Sequence, residues 1–210
     1  MEVIIDRLAH DLRAPLRSVA AAAAWIVEDL GRDPPPDLKN SVDILDNSVR
    51  RMERMLDALL TIARAGEPDA GDAFDAAEAI GEIEIRGLTI EVDGDARLSG
   101  DRVAFAAAVH ELLDNAQRHS KRDATRATVT IEDAEGTATI TIADDGEAMT
   151  DYIRSNAMHL FYSRYGASNA KHVGCGLPIA TAHAEAHGGT VELGPERSDG
   201  NEVRLRWRMA

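Results

Sequence analysis

The sequence predicts an α+β chain, in which an antiparallel helical hairpin precedes an α/β sandwich with helices on one face of a mixed sheet. Three observations predict it: a helical apolar repeat in the first 65 residues, a break near residue 66, and strand-like alternation beyond that break. At about 150 residues per domain, the length of 210 residues fits one large domain or two small ones. We therefore predict two domains, residues 1–66 and 67–210.

The first domain is predicted to consist of two helices. Apolar residues recur every three or four positions from residue 4 to residue 30, and the run GRDPPPD ends this helix because proline has no backbone N–H. The second helix alternates spacings of four and three, which is typical of a coiled-coil seam: Leu38, Val42, Leu45, Val49, Met52, Leu56 and Leu59. Since two helices cannot bury two apolar faces alone, we expect a homodimer built as a four-helix bundle. A hairpin packed on its own second domain is the alternative.

The second domain is predicted from segments with a period of two. Five segments alternate apolar and polar residues: 88–92, 127–131, 138–142, 190–193 and 203–207. Glu135 and Gly136 lie between two of these segments and predict a hairpin turn. Helical patterns cover residues 103–118 and 177–187, and a short one covers residues 74–80.

Charge and composition exclude several classes of function. The chain has 23 Lys and Arg against 37 Asp and Glu, a net charge of −14, which argues against binding to nucleic acid or to an anionic membrane surface. The longest apolar run is far shorter than the roughly 20 residues of a membrane span, and the charged first residues are unlike a signal peptide. A single cysteine excludes an intrachain disulfide and a Cys-rich zinc site. We expect an acidic cytoplasmic protein without membrane insertion.

A histidine in the first helix is the first candidate for chemistry. His10 lies in the run HDLRAPL, off the apolar stripe, so its imidazole is expected to face solvent. Asp11 can orient the imidazole ring and accept a proton. Pro15 should bend the helix just past His10. The alternative is an ordinary surface or core histidine.

A row of polar side chains in the run ELLDNAQRH is the second candidate. The row shares one face of the predicted helix 103–118: Glu111, Asn115, Arg118 and His119. A carboxylate, a carboxamide and a cation in a row suit a hydrated Mg²⁺ ion that bridges to phosphate oxygens. Taken alone, the row also fits a solvated helix face.

Two glycine-containing runs complete the set of motifs. The run DDGEA, residues 144–148, follows a predicted strand directly, so its carboxylate and glycine could meet a flat base. The run GCGLPIA, residues 174–180, opens a predicted helix, where backbone N–H groups can meet phosphates. Each run is a weak signal by itself, because such short matches are common.

The order of the motifs is more specific than any one of them. In the order HDLRAPL, ELLDNAQRH, DDGEA, LFYSR, GCGLPIA and HGG, the sequence resembles bacterial two-component sensor histidine kinases with a HisKA-type hairpin and a gyrase-type ATPase domain. The resemblance covers nearly the whole chain. It implies an enzyme that uses ATP and Mg²⁺ to phosphorylate His10, and then transfers the phosphoryl group to an aspartate on the receiver domain of a response regulator.

The resemblance also implies a role for each matching residue. Asp11 would be the acid–base partner of His10, and Asn115 would bind Mg²⁺ with help from Glu111. Asp144 would accept from the adenine amino group beside Gly146, and residues 147–173 would form a lid anchored by Phe161. The implied nucleotide-binding set is Asn115, Arg118, His119, Asp144, Gly146, Phe161, Arg164, Lys171, Gly174, Gly176 and Leu177.

Departures from the family pattern leave alternatives open. Ala148 and Pro178 replace glycines, and the helix that opens the ATPase domain is short, so a dimeric phosphotransferase or adaptor with a degenerate nucleotide site is the runner-up. Ala14 replaces the Thr or Asn that positions water in the family, which predicts weak phosphatase activity toward the response regulator. A gyrase-type ATPase without phosphotransfer would leave His10 and the hairpin unexplained. Because His10 lies near the first residue, the sensor domain is expected to be separate or removed.

Overall fold

A computed structural model describes residues 2–29, 31, 35–65, 71–120, 125–164 and 172–210, apart from the side chains of residues 2–6, 8 and 10. The chain divides into two compact units. Unit 1 comprises Met1–Arg64 and Leu160–Cys175, and unit 2 comprises Ala65–His159 and Gly176–Ala210. The domain boundary predicted at residue 66 stays a prediction.

Two long helices dominate unit 1. Helix α1 (Glu2–Asp29) continues through Pro15, and helix α2 (Pro36–Ala65) begins two residues earlier than expected. Proline is well tolerated at the first helical position, because its missing N–H would have no partner there. An ion pair between Arg13 and Asp57 joins the two helices. The buried side chains described for the two helices are Ala9, Ala23, Val42, Val49, Ala58, Leu60 and Ala65.

Unit 2 contains a mixed five-stranded sheet. In spatial order the strands are β2 (Leu88–Asp93), β4 (Thr125–Ala134), β5 (Thr137–Asp144), β7 (Asn201–Arg208) and β6 (Thr190–Leu193). Strand β2 runs parallel to β4, and the other neighbours are antiparallel. Strands β1 (Phe74–Asp75) and β3 (Arg97–Leu98) form a separate antiparallel pair. The predicted mixed sheet is confirmed, with each strand within three residues of the expected bounds.

Helices supply the other layer of unit 2. They are α3 (Ala76–Gly81), α4 (Arg102–Arg118), α5 (Asp151–Asn156) and α6 (Gly176–Ala186). Helix α4 begins where Asp101 caps it, since the Asp101 carboxylate accepts from the N–H of Val103 at 2.7 Å. At the centre of the core, the ring of Phe105 lies 5.3 Å from the ring of Trp207 at a nearly perpendicular angle. This packing fixes α4 across the sheet.

The turn between β4 and β5 matches its prediction. Glu135 and Gly136 have φ angles of 52° and 80°, the left-handed values that a tight two-residue hairpin requires. The elements absent from the prediction are all short: β1 and β3 have two residues each, and α5 has six. Residues 74–80 were expected to be helical throughout, whereas Phe74 and Asp75 form β1 and Asp75 caps α3 through a 2.9 Å bond from the N–H of Glu78.

None of the helices in the described ranges combines the length and the apolar character that a membrane span requires.

Candidate functional site

The buried carboxylate of Asp144 lies at the end of β5. Its side chain is 8% exposed, and its Oδ1 accepts from the N–H of Gly146 at 2.8 Å. Burial raises the pKa of Asp144 above its ordinary value, and the hydrogen bonds from Gly146 and Asn201 partly oppose that rise. A Cβ atom on residue 146 would lie 2.7 Å from the same Oδ1. Glycine at this position therefore permits the close approach of backbone and carboxylate.

Asn201 is a residue of this site that the sequence did not reveal. It is 4% exposed at the start of β7, and its Nδ2 donates to Asp144 Oδ1 at 3.2 Å and to the Glu147 carbonyl at 3.0 Å. Its Oδ1 accepts from the N–H of Met149 at 2.8 Å. Asn201 lies two positions before the predicted strand 203–207, and no motif pointed to it. Asn201 thus fixes both the carboxylate and the chain that follows it.

The second carboxylate of the DDGEA run has a different environment. Asp145 is half-buried and its Oδ1 accepts from the N–H of Arg126 at 3.0 Å, while its own N–H donates to the Arg126 carbonyl at 3.2 Å. These bonds attach the loop to the beginning of β4. Asp145 therefore fixes the loop to β4, and Asp144 is the carboxylate buried in the loop.

The polar row on α4 lies beside this loop. The N–H of Glu147 donates to the His119 carbonyl at 3.5 Å, and that carbonyl lies 3.5 Å from where a Cβ atom on Gly146 would be. His119 also ends α4, since its N–H donates to the Asn115 carbonyl at 3.2 Å. The structure therefore brings the last turn of α4 and the Asp144 loop together.

Glu111 lies further back on the same helix. Burial raises its pKa, although the charge of Arg118 acts in the opposite direction. Its Oε2 lies 3.1 Å from where a Cβ atom on Gly176 would be, which places the carboxylate at the first turn of α6. Glu111 and half-buried Asn115 offer a carboxylate and a carboxamide oxygen, the ligand types that Mg²⁺ accepts while it keeps several waters.

Arg118 has a nearby counter-charge. Its guanidinium forms an ion pair with Asp114, one helical turn earlier on α4. Its positive charge is therefore partly offset in the structure. Among the described residues there is no group of three or more His, Cys, Asp or Glu side chains that could hold a metal ion.

Helix α6 begins with two of the expected residues. The backbone of Gly176 starts the helix, and Leu177 is 5% exposed with its side chain in the hydrophobic core. Only the backbone of Leu177 is thus placed to meet a ligand. Pro178 lies within the first turn, where proline is tolerated.

Phe161 and Gly174 belong to unit 1, whereas residues 147–159 of the predicted lid belong to unit 2. Phe161 has a φ of 65°, and its N–H donates to the Gly174 carbonyl at 2.9 Å. Gly174 has a φ of 74°, and a Cβ atom there would lie 1.9 Å from the Tyr162 carbonyl oxygen. Arg164 is half-buried, and Lys171 lies outside the described residues. The positive φ and the close carbonyl show that position 174 requires glycine.

The expected phosphoacceptor pair lies on α1. The backbone of His10 is helical, and Asp11 next to it is exposed. The expected orientation of the His10 imidazole lies outside the described side chains. Helix α1 is continuous across Pro15, and the bend expected just past His10 stays a prediction.

Comparisons with known proteins match both parts of the chain. The family described as "Histidine kinase-, DNA gyrase B-, and HSP90-like ATPase" matches residues 100–210, and "His Kinase A (phospho-acceptor) domain" matches residues 3–68. Sensor protein IrlS of Burkholderia pseudomallei is 28% identical over 91% of this chain and 43% of its own length. Sensor histidine kinase MtrB of Mycobacterium tuberculosis is 28% identical over 96% of this chain and 38% of its own length. The chain thus spans less than half the length of these relatives.

Solved structures show the same fold. The Acinetobacter baumannii histidine kinase AdeS has a TM-score of 0.63 at 18% identity, covering 95% of this chain and 98% of that one. Full-length ShkA in complex with AMPPNP has a TM-score of 0.65 at 18% identity, covering 100% of this chain and 47% of that one.

Proposed function

The chain belongs to the family of two-component sensor histidine kinases, and we propose that it is an ATP-dependent kinase that phosphorylates its own His10. The phosphoryl group then passes to an aspartate on the receiver domain of a response regulator. The domains carrying these steps are residues 1–66 for dimerisation and phosphoacceptance and residues 67–210 for ATP binding. The relatives are more than twice as long, which supports a sensor region outside this sequence.

The buried carboxylate of Asp144 carries the proposal. Gly146 and Asn201 both donate to its Oδ1, and a Cβ atom on residue 146 would lie 2.7 Å from that oxygen. A buried acceptor of this kind selects a base with an exocyclic amine, because a wrong ligand would leave the carboxylate unpaired. Adenine has that amine. In this proposal two elements face the phosphates of ATP. They are the last turn of α4, which lies against the Asp144 loop, and the start of α6, which lies against Glu111.

The acidity of the second domain supports a role for Mg²⁺. Residues 67–210 hold 14 Lys and Arg against 26 Asp and Glu, a net charge of −12, which would repel a triphosphate. Arg118 is partly offset by Asp114. When bound through Asn115 and Glu111, Mg²⁺ would supply the positive charge that the phosphates need. Arg118, His119, Arg164 and Lys171 are the proposed phosphate contacts.

The phosphoryl step needs a nucleophile and a proton acceptor. A nitrogen of the His10 imidazole forms the new bond to the γ-phosphorus, the bond to the bridging oxygen breaks, and ADP leaves. Asp11 accepts the imidazole proton. Since ATP and receiver domains are found inside cells, we place this part of the protein in the cytoplasm.

Two exposed apolar stripes support a homodimer. The stripe on α1 and the stripe on α2 both repeat every seven residues, and each member is 37–43% exposed: Leu12, Val19 and Ile26, and Leu38, Leu45, Met52 and Leu59. A seven-residue repeat is the spacing that packs one helix against another. A second copy of the hairpin would cover both stripes in a four-helix bundle.

Labelling with γ-phosphate tests the kinase activity. We expect acid-labile, base-stable label on the full chain with Mg²⁺ and ATP, and none on His10→Ala. Asn115→Ala should also lose the label and should no longer bind ATP. If native protein takes no label and binds no nucleotide, the adaptor is the correct function. If label survives His10→Ala, the acceptor is a different residue.

Light scattering tests the dimer. Met52→Asp should lower the molar mass from that of a dimer toward that of a monomer, because it buries a charge in the seam. Asn47→Asp adds the same charge to the opposite side of α2 and should leave the dimer intact. A monomeric native chain, or equal effects of the two variants, would contradict the four-helix bundle.

A further inference from the structure

The side-chain amide of Asn201 has one orientation that satisfies its partners in the loop after Asp144. Its Oδ1 accepts from the N–H of Met149 at 2.8 Å, whereas a reversed amide would set two donors against each other at this point. The two hydrogens on Nδ2 therefore point to acceptors, which are Asp144 Oδ1 at 3.2 Å and the Glu147 carbonyl at 3.0 Å. Asn201 is 4% exposed, so the protein itself supplies the partners of this amide.

The carboxylate of Asp144 uses its two oxygens differently. The N–H of Gly146 donates to Oδ1 at 2.8 Å and the Asn201 amide donates to the same atom, so both lone pairs of that oxygen are occupied. A proton on this carboxyl group would therefore lie on Oδ2. In the proposed function, Oδ2 is also the oxygen that meets the amine of the base.

The protonation of Asp144 decides which purine its side chain can recognise. An ionised carboxylate only accepts hydrogen bonds, so it matches the 6-amino group of adenine, whereas a proton on Oδ2 would donate to the 6-oxo group of hypoxanthine. Burial and the negative charge of Asp145 raise the pKa of Asp144, and the hydrogen bonds from Gly146 and Asn201 lower it. From α4, His119 meets the loop through its backbone carbonyl. The Asn201 amide thus favours the form of Asp144 that accepts.

We infer that Asn201 is a positioning residue for base recognition, which holds Asp144 as a hydrogen-bond acceptor and so sets a preference for 6-amino over 6-oxo purine nucleotides. The inference rests on the proposed binding of adenine at Asp144. It assigns no ligand contact to Asn201, which acts through the Asp144 carboxylate. A purely structural role is the alternative, because the same amide also fixes the chain at Glu147 and Met149.

Calorimetric binding of ADP and of inosine diphosphate to the full chain with Mg²⁺ tests the inference. The two nucleotides share their phosphates, so the effects of pH on the phosphates and of Mg²⁺ cancel in the ratio of the two Kd values. Neither nucleotide carries a γ-phosphate for transfer to His10. The native chain should bind ADP at least about tenfold more tightly than inosine diphosphate at pH 8, and this preference should fall as the pH is lowered toward 5.

Removal of the amide should shift this pH profile. In Asn201→Ala, the pH at which half of the ADP preference is lost should rise by about one unit, because a hydrogen bond to a charged group is lost. Asp145→Ala is the matched control, since it frees the loop from the N–H of Arg126 but keeps both donors to Asp144. It also removes a charge that raises the pKa of Asp144, so its midpoint should stay the same or fall.

A measurement on the native chain tests the same contact if Asn201→Ala does not fold. One hydrogen on Asn201 Nδ2 bonds to Asp144 Oδ1, so protonation of that carboxylate should move the NMR resonance of the amide. In the chain labelled with ¹⁵N, the resonance should shift with the same midpoint pH as the ADP preference. A resonance that does not move across this range would overturn the inference.

The remaining outcomes separate this inference from the proposed function. A native chain that binds ADP and inosine diphosphate equally, or binds neither, would refute the adenine site at Asp144 and the inference with it. A native preference for ADP whose midpoint pH is unchanged in Asn201→Ala would overturn the inference alone. Equal losses of both nucleotides in Asn201→Ala and in Asp145→Ala would also overturn it, because they would show that Asn201 only fixes the loop.

Discussion

Replacement of the buried Asp144 by asparagine should weaken ATP binding without weakening the fold. The N–H of Gly146 and the Nδ2 of Asn201 both donate to Asp144 Oδ1, so an asparagine must keep its carbonyl oxygen there. Its NH₂ group then takes the place of the other carboxylate oxygen and faces the adenine amine as a second donor. Loss of a hydrogen bond to a charged group costs about 1.5–3 kcal/mol, which corresponds to roughly 10- to 150-fold in Kd.

The same substitution should stabilise the protein when no nucleotide is bound. Burial raises the pKa of Asp144, so the folded state disfavours its ionised form. A raised pKa in the folded state means that stability falls as pH rises through that pKa, and a neutral asparagine removes this loss. Asp144→Asn should therefore melt at a temperature equal to or above that of the native chain at pH 8. The difference should shrink as the pH falls toward the ordinary pKa of a carboxyl group.

Calorimetry with Mg²⁺ and ATP gives the Kd, and scanning calorimetry gives the melting temperature. The matched control is Asp145→Asn, because its amide oxygen can still accept from the N–H of Arg126. The native chain should also bind an inosine triphosphate weakly, since inosine has a carbonyl in place of the amine. An unchanged Kd for Asp144→Asn, or an equal loss in Asp145→Asn, would refute the assignment of Asp144 to the adenine amine.

Three further predictions follow from other parts of the chain. Gly174→Ala should lower the autophosphorylation rate at least about tenfold, because its Cβ atom would collide with the Tyr162 carbonyl. The control is Gly136→Ala, where the added Cβ atom meets no neighbour and costs only the left-handed backbone strain of about 1 kcal/mol. Equal autophosphorylation rates of the two variants would contradict this. Burial lowers the pKa of His183, so the stability of the fold should fall as the pH drops below about 6.5. In His183→Gln, the melting temperature should change less between pH 8 and pH 5.5 than it does in the native chain. The native chain should dephosphorylate its response regulator slowly, and Ala14→Thr should raise that rate by roughly tenfold or more; fast loss of label from the regulator with Ala14 in place would show that another group positions the water.

Local patterns of the sequence predicted most of the elements. The five strands of the sheet and helices α1, α2, α4 and α6 lie close to their expected positions, because side-chain periodicity and turn chemistry act over neighbouring residues. Glu135 and Gly136 are an example, since two residues suffice to specify their turn. The strands β1 and β3 were missed because each has only two residues and exists through pairing with the other.

The candidate site depends more heavily on distant parts of the chain. The motifs named Asp144, Gly146 and the polar row on α4, but the burial of Asp144 and the rise in its pKa come from packing. Asn201 lies 57 positions further along the chain and reaches Asp144 only because β5 and β7 are neighbours. The pairing of Arg118 with Asp114 is local by contrast, because residues four apart are neighbours on one face of a helix.

The sequence by itself determined the helical hairpin, the alternating strands and the order of the motifs, because these depend on short-range spacing and on residue type. Only the tertiary structure decided the strand order and the burial of Asp144. These features depend on which distant segments pack together, and a periodic pattern that shows which face is apolar does not show what covers that face.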